Sequence, residues 1–266
     1  MIDRFGREIT YLRVSVTDRC NLNCSYCKPP AQTSFAPRRE VISFEEIAEV
    51  VRVAVDLGIR KVRLTGGEPL VRRGVHTLVR MIASIDGIKD LAMSTNGILL
   101  AEHARALADA GLHRVNVSLD SVNPERYRGI TGGGDLSRVL AGIEAAGDAG
   151  LKPVKLNCVF RQSSDEPDAR GVARFAGENG LDVRFVRQMD FQAGTFSVVE
   201  GGAGGDCSQC NRLRLSCDGQ VRPCLFSDLS FSVRELGVIG ALEQAILSKP
   251  ETGAPCSRSW IRITGG

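Results

Sequence analysis

The 266-residue chain lacks any long apolar run. No stretch of about 18 consecutive apolar residues is present, which is the length that a membrane-spanning helix requires. The N-terminal MIDRFGREI also lacks the apolar core of a signal peptide, so neither a membrane span nor export is indicated and the expected compartment is the cytoplasm. The formal net charge of only +3 does not indicate nucleic-acid binding. Any cationic function must therefore come from the local placement of arginine and lysine.

Histidine is scarce, whereas cysteine is abundant. There are three histidines, to which we assign no ligand role because they lie in helices or at helix ends: His76, His103 and His113. The nine cysteines are unlike a disulfide framework, since a reducing cytosol keeps thiols free and clustered cysteines there indicate metal or redox chemistry. In the stretch TDRCNLNCSYCKPP, Cys20, Cys24 and Cys27 fall within eight positions.

Short β-branched runs alternate with helical patterns, as in repeated strand and helix units on a parallel sheet. Six strands are predicted: YLRVSV (11–16), VRLT (62–65), LAMST (91–95), RVNVSL (114–119), VKLNCV (154–159) and VRFV (183–186). Ser43 and Glu46 form a predicted capping box at the start of a helix that Gly58 ends. The pattern predicts an α/β fold, an incomplete (β/α)6 barrel of TIM type that is open on one side. Because a Gly-rich segment then breaks the alternation, we assign 1–190 to the barrel and 191–266 to a small C-terminal region.

The first three cysteines follow the first strand directly, where barrel enzymes place their active sites. Three thiolates on one loop can hold three irons of a 4Fe-4S cluster and leave the fourth iron open. A zinc site and three unrelated buried thiols are the alternatives. Other motifs stand at the ends of the next strands, where a ligand at the barrel mouth would be touched: GGEP (66–69), TNG (95–97) and SLD (118–120). GGEP taken alone could be a simple turn.

A second group of thiols lies in DCSQCNRLRLSCDGQVRPCLF. LRLS and QVRPCL flank an Asp-Gly turn, which predicts a β-hairpin that brings Cys224 back towards Cys207 and Cys210. Cys217 lies at the turn, about 23 Å of extended chain from Cys210, so we exclude it as a ligand. The remaining three thiols indicate another 4Fe-4S cluster with an open iron, and a zinc ribbon completed by Cys256 is the alternative.

Two arginines alternate with leucines directly after this group. In a strand, Arg212 and Arg214 project from one face, and paired guanidinium forks suit phosphate oxygens. A solvated strand face would give the same pattern. Cys158, within VKLNCV, is interpreted as a buried core thiol.

The C-x3-C-x2-C spacing, with Tyr26 before the last cysteine, resembles the radical S-adenosylmethionine (SAM) superfamily. Within it the chain resembles the MoaA family, the GTP 3′,8-cyclases of molybdenum cofactor biosynthesis, over nearly its whole length. The motifs that carry the resemblance are RVSVTDRCNLNCSYC, KVRLTGGEPLVRR, STNGILL, RVNVSLDS, VKLNCV, VRFVRQMD, CSQCNRLRL, RPCLF and a terminal Gly-Gly.

The resemblance implies a radical SAM enzyme with two 4Fe-4S clusters at opposite ends of a partial barrel. The N-terminal cluster would bind SAM through its open iron, and the guanine of GTP would contact that of the C-terminal cluster. The SAM-derived radical would take a hydrogen from ribose C3′, whose carbon would then attack guanine C8 to give (8S)-3′,8-cyclo-7,8-dihydroguanosine 5′-triphosphate. Implied partners are an electron donor such as flavodoxin or ferredoxin and a downstream cyclic pyranopterin monophosphate synthase, with no nucleic acid and no membrane.

The resemblance also implies roles for individual residues. The metal ligands would be Cys20, Cys24, Cys27, Cys207, Cys210 and Cys224. The SAM side would comprise Tyr26, Gly67, Glu68, Thr95, Ser118 and Met189. The substrate side would comprise Arg13, Lys61, Arg63, Thr65, Lys155, Arg184, Arg212 and Arg214. A catalytic set would comprise Arg13, Arg212, Arg214 and the tail residues Gly265 and Gly266, which would reach into the site. All substrate-side residues except Thr65 carry positive charge, as a buried triphosphate requires.

The chain departs from the family between Met189 and Cys207, where it has only 17 residues. Family members usually carry some tens more there, which help to cover the open side of the barrel. We therefore expect a wider pocket or one that a partner closes. Two alternatives follow: a MoaA-like radical SAM enzyme acting on another substrate such as a peptide, and a noncatalytic zinc or iron-sulfur protein.

Overall fold

The computed structural model describes residues 1–27, 35–190, 193–194 and 196–256. Its strands are β1 Tyr11–Ser15, β2 Lys61–Thr65, β3 Asp90–Thr95, β4 Arg114–Ser118, β5 Lys155–Phe160, β6 Asp182–Arg187, β7 Arg212–Leu215, β8 Gln220–Arg222 and β9 Phe231–Ser232. The first six confirm the predicted strands, with every end within one residue of its expected position. They pair in parallel in sequence order, as expected for an incomplete barrel.

Helices lie between the six parallel strands of the barrel. They are α1 Phe44–Asp56, α2 Val75–Ala83, α3 Leu100–Asp109, α4 Pro124–Thr131, α5 Leu136–Asp148 and α6 Pro167–Glu178. A last helix, α7 Val233–Leu247, follows β9 and is broken at Gly237. The predicted capping box of α1 is present, because Ser43 Oγ accepts the Glu46 N–H and the Glu46 carboxylate accepts the Ser43 N–H. Gly58, at φ 108°, follows the end of this helix as predicted. No helix of the described residues has the length and apolarity to cross a membrane.

The C-terminal region joins the barrel sheet. The predicted hairpin exists as antiparallel β7 and β8, but β7 also pairs in parallel with β1, which the sequence did not indicate. The sheet order is therefore β6-β5-β4-β3-β2-β1-β7-β8-β9, with β6 at one edge. The division at residue 190 stays a prediction, since the later strands extend the earlier sheet.

The core lies between the strands and the helices. Strand side chains such as Leu12, Leu64 and Leu213 point away from the barrel interior and are fully buried in this core. Each such leucine contributes roughly 1.5–3 kcal/mol relative to an exposed one. Because side chains alternate along a strand, the residues between them face the barrel interior. The alternation thus places Arg13 and Arg63 inside, on the face opposite the core.

Candidate active site

The inner face of the sheet lines a cavity of about 380 Å³. Parallel register sets Arg13 of β1 level with Arg63 of β2 and Arg214 of β7. A second level row lies two residues earlier on the same strands: Tyr11, Lys61 and Arg212. All six side chains contribute to the lining, so charges that are scattered in the sequence converge in the fold.

These cations repel one another where water is scarce. Burial, followed by the nearby guanidiniums of Arg214 and Arg63, lowers the pKa of Arg13 to about 9. Burial and the neighbouring Arg212 likewise lower the pKa of Arg214 to about 10. Lowered arginine pKa values mean that the folded chain holds positive charge at an electrostatic penalty, which a bound anion would relieve.

The described carboxylates of the cavity leave this charge largely unopposed. Asp90 already accepts two hydrogen bonds from Arg114, at 2.9 Å from Nε and 2.6 Å from Nη2. Among the described residues, the buried Nε atoms of Arg63 and Arg184 have no hydrogen-bond acceptor. The buried Tyr11 hydroxyl likewise has no hydrogen-bond partner there. Buried polar groups are rarely left unpaired in proteins. The orphaned donors therefore indicate an anionic ligand.

The N-terminal thiols lie just beyond the C-terminal end of β1. The Cys27 N–H donates to the Cys24 carbonyl at 3.1 Å, which folds the loop into a tight turn. Burial, then Asp120 and the two neighbouring thiols, raise the pKa of Cys24 to about 12. Metal binding deprotonates such thiols. The Tyr26 hydroxyl donates to Asp120 at 2.6 Å, so the predicted cofactor-side tyrosine anchors the turn to the end of β4.

The GGEP segment holds this loop. The Gly67 N–H donates to the Thr17 carbonyl at 2.7 Å, and the Glu68 N–H donates to the Arg19 carbonyl at 2.8 Å. A Cβ on Gly66 would lie 2.5 Å from the Thr17 carbonyl oxygen, and one on Gly67 would collide with the Arg19 carbonyl. Both glycines are therefore required by the close approach of the two loops.

Glu68 is fully buried, and its carboxylate accepts hydrogen bonds from protein groups. The donors are Thr95 Oγ1 at 2.8 Å, the Asn96 N–H at 2.7 Å and the Leu70 N–H at 3.0 Å. Burial outweighs these hydrogen bonds and raises the pKa of Glu68 to about 7. The predicted cofactor-side residues Glu68 and Thr95 thus bond to each other and join the ends of β2 and β3.

The C-terminal thiols stand at the opposite end of the strands. Cys207, Cys210 and Cys224 line the cavity where β7 begins, and β7 runs parallel to β1. Burial alone would raise the pKa of Cys210, but the Lys249 ammonium and the Arg212 guanidinium outweigh it and lower the pKa to about 7. The two thiol groups therefore differ electrostatically, with cations concentrated at the second.

The remaining cysteines lie elsewhere. Cys158 and Cys217 are fully buried and contribute no lining to the cavity. Cys256 packs with Leu225 and Phe226 in a small apolar cluster that Cys224 also contacts, so it lies near the second thiol group. In the described part of the chain, no three His, Cys, Asp or Glu side chains converge tightly enough to hold a single ion. A 4Fe-4S cluster requires less convergence, since each thiolate binds a different iron.

Comparison with known proteins agrees with this geometry. The profile of the radical SAM superfamily matches residues 14–176, which include the first thiol loop, the GGEP segment, helices α1 to α5 and most of α6. The chain belongs to the radical SAM superfamily. Within it the chain belongs to the MoaA family, because it is 38% identical to the GTP 3′,8-cyclase of Petrotoga mobilis over 94% of either chain. It is 39% identical to that of Alkaliphilus oremlandii over 94% of this chain and 93% of the relative.

Solved structures confirm the radical SAM fold. Native anSMEcpe with bound AdoMet and the Kp18Cys peptide superposes with a TM-score of 0.64 at 16% identity, over 97% of this chain and 88% of that one. Streptococcus suis SuiB bound to the precursor peptide SuiA superposes with a TM-score of 0.56 at 19% identity, over 70% and 40%. As a radical SAM enzyme, the protein takes a 4Fe-4S cluster and SAM. The three thiols on the β1 loop, anchored by Tyr26 and GGEP, fit that cluster.

The radical SAM chain is shorter than its relatives. Its alignment with the Petrotoga protein spans 302 positions, more than its own 266 residues, so the relative contains residues that this chain lacks. In this structure a short Gly-rich segment reaches β6, because Phe185 and Glu200 exchange both backbone hydrogen bonds, at 3.0 and 3.1 Å. A Cβ on Gly201 would lie 2.6 Å from a carbonyl oxygen of β6, and one on Gly204 would lie 3.6 Å from Arg212 of β7. The chain therefore supplies its own wall between these strands.

The structure brings most predicted substrate-side residues of this radical SAM protein together. Those lining the cavity are Arg13, Lys61, Arg63, Arg184, Arg212 and Arg214, joined by the predicted cofactor-side residues Ser118 and Met189. Thr65 is buried but absent from the lining, and the Lys155 ammonium instead pairs with Asp182 at 2.6 Å. Gly265 and Gly266 lie outside the described residues.

Sequence reasoning missed several residues that line the radical SAM cavity: Tyr11, Asp90, Arg114 and Lys249. Tyr11 could have been found, because it stands two positions before Arg13 and so shares its strand face. Asp90 and Arg114 begin neighbouring strands. Pairing sets Arg114 level with Ala92, two residues after Asp90, and the two charged side chains form an ion pair. Lys249 follows α7 and carries no sequence signal.

Proposed function

We propose that this radical SAM enzyme is a GTP 3′,8-cyclase, which converts GTP to (8S)-3′,8-cyclo-7,8-dihydroguanosine 5′-triphosphate in molybdenum cofactor biosynthesis. The observation that carries the proposal is the cation-lined cavity, which has the second group of three thiols in its lining and the first group beyond the other end of the strands. The first group follows the C-terminal end of β1. In the second group, Cys207 and Cys210 precede the start of parallel β7 and Cys224 follows β8. Five residues of strand separate the two levels by on the order of 15 Å, which leaves room for a nucleotide.

The cavity side chains suit a triphosphate. Arg13, Arg63 and Arg214 form one level row with donors in fixed forks, the arrangement that binds phosphate oxygens. Lys61, Arg184 and Arg212 extend the positive surface. We assign the triphosphate to these six cations and leave Thr65 and Lys155 in supporting positions, because their side chains do not line the cavity. The proposed catalytic residues are Arg13, Arg212, Arg214, Gly265 and Gly266.

The thiols define where the cofactors would bind. Cys20, Cys24 and Cys27 would hold the SAM-binding 4Fe-4S cluster, which when bound supplies the one-electron cleavage of SAM that starts the reaction. Gly67 and Ser118 would contact SAM near the ends of β2 and β4. A set of positioning residues, Tyr26, Glu68, Thr95 and Met189, would shape the same mouth. Cys207, Cys210 and Cys224 would hold a second 4Fe-4S cluster, facing the guanine.

The overall conversion is an isomerisation of GTP. A hydrogen atom would pass from ribose C3′ to the 5′-deoxyadenosyl group released from SAM, giving 5′-deoxyadenosine. The C3′–C8 bond would then form, and one electron and one proton would complete the N7–H group. SAM cleavage would consume a further electron and release methionine, so an electron donor such as flavodoxin or ferredoxin would supply both electrons. The product would pass to a cyclic pyranopterin monophosphate synthase.

The test is anaerobic reconstitution followed by incubation with SAM, dithionite and GTP carrying deuterium at C3′. The proposal expects about eight irons per chain and deuterium in 5′-deoxyadenosine. It also expects a nucleotide product with the mass of unlabelled GTP but a new retention time. A Cys24→Ala variant should abolish deoxyadenosine formation. Two results together would overturn GTP as substrate: 5′-deoxyadenosine forms at the same rate with and without GTP, and the 5′-deoxyadenosine formed with labelled GTP contains no deuterium.

A further inference from the structure

Lys249 is a fully buried lysine at the second thiol group, with 1% of its surface exposed. Its ammonium donates to the carbonyl of Arg212 at 2.8 Å and to the carbonyl of Pro223 at 2.8 Å. Arg212 is two residues after Cys210, and Pro223 directly precedes Cys224. One ammonium therefore joins the two chain segments that carry these thiols.

An ammonium has three N–H donors, and the two carbonyls use two of them. Cys210 and Cys224 line the same cavity as Lys249. A buried lysine without hydrogen-bond partners would be strongly destabilising, so the position of Lys249 is tied to the two carbonyls of the thiol-bearing segments.

Arg7 makes the corresponding contact to the backbone of the third cysteine, Cys207. Its Nη1 donates to the carbonyl of Cys207 at 2.7 Å and to that of Glu251 at 3.0 Å, and its Nη2 donates to the Pro250 carbonyl at 2.7 Å. Its Nε donates to the Asp3 carboxylate at 2.7 Å, and this ion pair is buried. Residues that precede β1 therefore reach the C-terminal cluster site.

The two cations act on one short segment, since Pro250 and Glu251 directly follow Lys249. Arg7 fixes the backbone from which Lys249 extends, and the pair contacts the segments of all three cysteines. We propose that Arg7 and Lys249 form a buried cationic clamp that holds Cys207, Cys210 and Cys224 in the geometry of the second 4Fe-4S cluster. Both are positioning residues, and the inference rests on the proposed identity of that site.

The test measures cluster content without GTP, so it does not depend on the substrate. In Lys249→Met protein, iron should fall from about eight to about four per chain, while SAM still alters the EPR signal of the remaining cluster and is still cleaved slowly. The SAM-insensitive EPR signal should be lost. Lys61→Met, which removes a cation from the same cavity without touching a thiol segment, should keep full iron content.

Arg7→Lys provides a second variant, because lysine keeps the charge but cannot bridge three carbonyls and Asp3 at once. It should show the same halved iron content and the same selective loss of EPR signal. The clamp would be refuted if folded Lys249→Met or Arg7→Lys protein kept both signals. Loss of both clusters together in either variant would also refute it, since that outcome indicates general unfolding. Full iron with no GTP cyclisation in the unaltered protein would contradict the proposed substrate and leave the clamp standing.

Discussion

Replacing Arg63 with methionine should weaken GTP binding while leaving the iron-free fold as stable as before, or more so. Arg63 is 8% exposed, and its Nε has no acceptor among the described residues. A hydrogen bond to a charged phosphate is worth about 1.5–3 kcal/mol, so the dissociation constant should rise roughly 10- to 150-fold. The stacked Tyr11 ring, 5.6 Å away, offsets only part of the burial penalty of the guanidinium.

Two measurements check this expectation, because affinity for GTP should fall while stability of the iron-free fold should not. Calorimetry gives the affinity for GTP, and thermal unfolding gives stability with and without nucleotide. A nucleotide that binds only the folded state stabilises it in proportion to ln(1 + [GTP]/Kd). If GTP binds as proposed, the nucleotide-induced rise in melting temperature should therefore shrink in Arg63→Met protein. Arg52→Met, on the exposed face of α1, is the matched control and should leave both quantities unchanged. An Arg63→Met variant that binds GTP normally but melts early would refute the assignment and make Arg63 a structural residue.

Three further perturbations test the scaffold of the site. Ser43→Ala removes the capping box of α1 and should reduce the free energy of unfolding by about 1 kcal/mol in urea titrations. In the iron-free protein, stability should fall as pH rises from Glu68's ordinary pKa of 4.5 through its folded value of about 7, because burial disfavours the carboxylate, and Glu68→Gln should remove that slope. Gly201→Ala should weaken GTP binding without affecting SAM binding, because the residue has φ +74° and its new Cβ would meet β6.

Each of these three predictions can be contradicted by a specific result. Unchanged urea midpoints in Ser43→Ala protein would mean that the cap contributes nothing. An equal pH slope in Glu68→Gln protein would assign the titration to another group. Gly147→Ala, in α5 with nothing within 4 Å of its new Cβ, is the control for Gly201→Ala and should stabilise the protein by about 0.5–1 kcal/mol. Equal GTP affinities in the two glycine variants would argue against the wall.

The strands and the first helix were predictable because their signals are local. Alternation of apolar residues marked the six parallel strands, and Ser43 with Glu46 marked the start of α1. The spacing of Cys20, Cys24 and Cys27 was equally local, since one loop carries all three. For the same reason the side on which Arg212 and Arg214 project followed from the two-residue repeat of a strand.

Other parts of the site depend on contacts between distant segments. Arg7 and Cys207 are 200 positions apart, and their contact exists only because the segment before β1 packs beside β7. Lys155 shows the converse, because its charge suited the substrate side until strand pairing placed Asp182 next to it. Glu68 likewise bonds to Thr95 and Asn96, which reach it from the end of β3.

The sequence by itself determined the strand and helix order, the two thiol groups and the positive charge of the inner strand faces, since periodicity and spacing are properties of the chain alone. The tertiary structure decided which cations share a cavity, which of them are neutralised, and what surrounds each thiol. Those properties follow from parallel register and burial: register makes Arg13, Arg63 and Arg214 neighbours, and exclusion of water makes their mutual repulsion strong enough to select an anion.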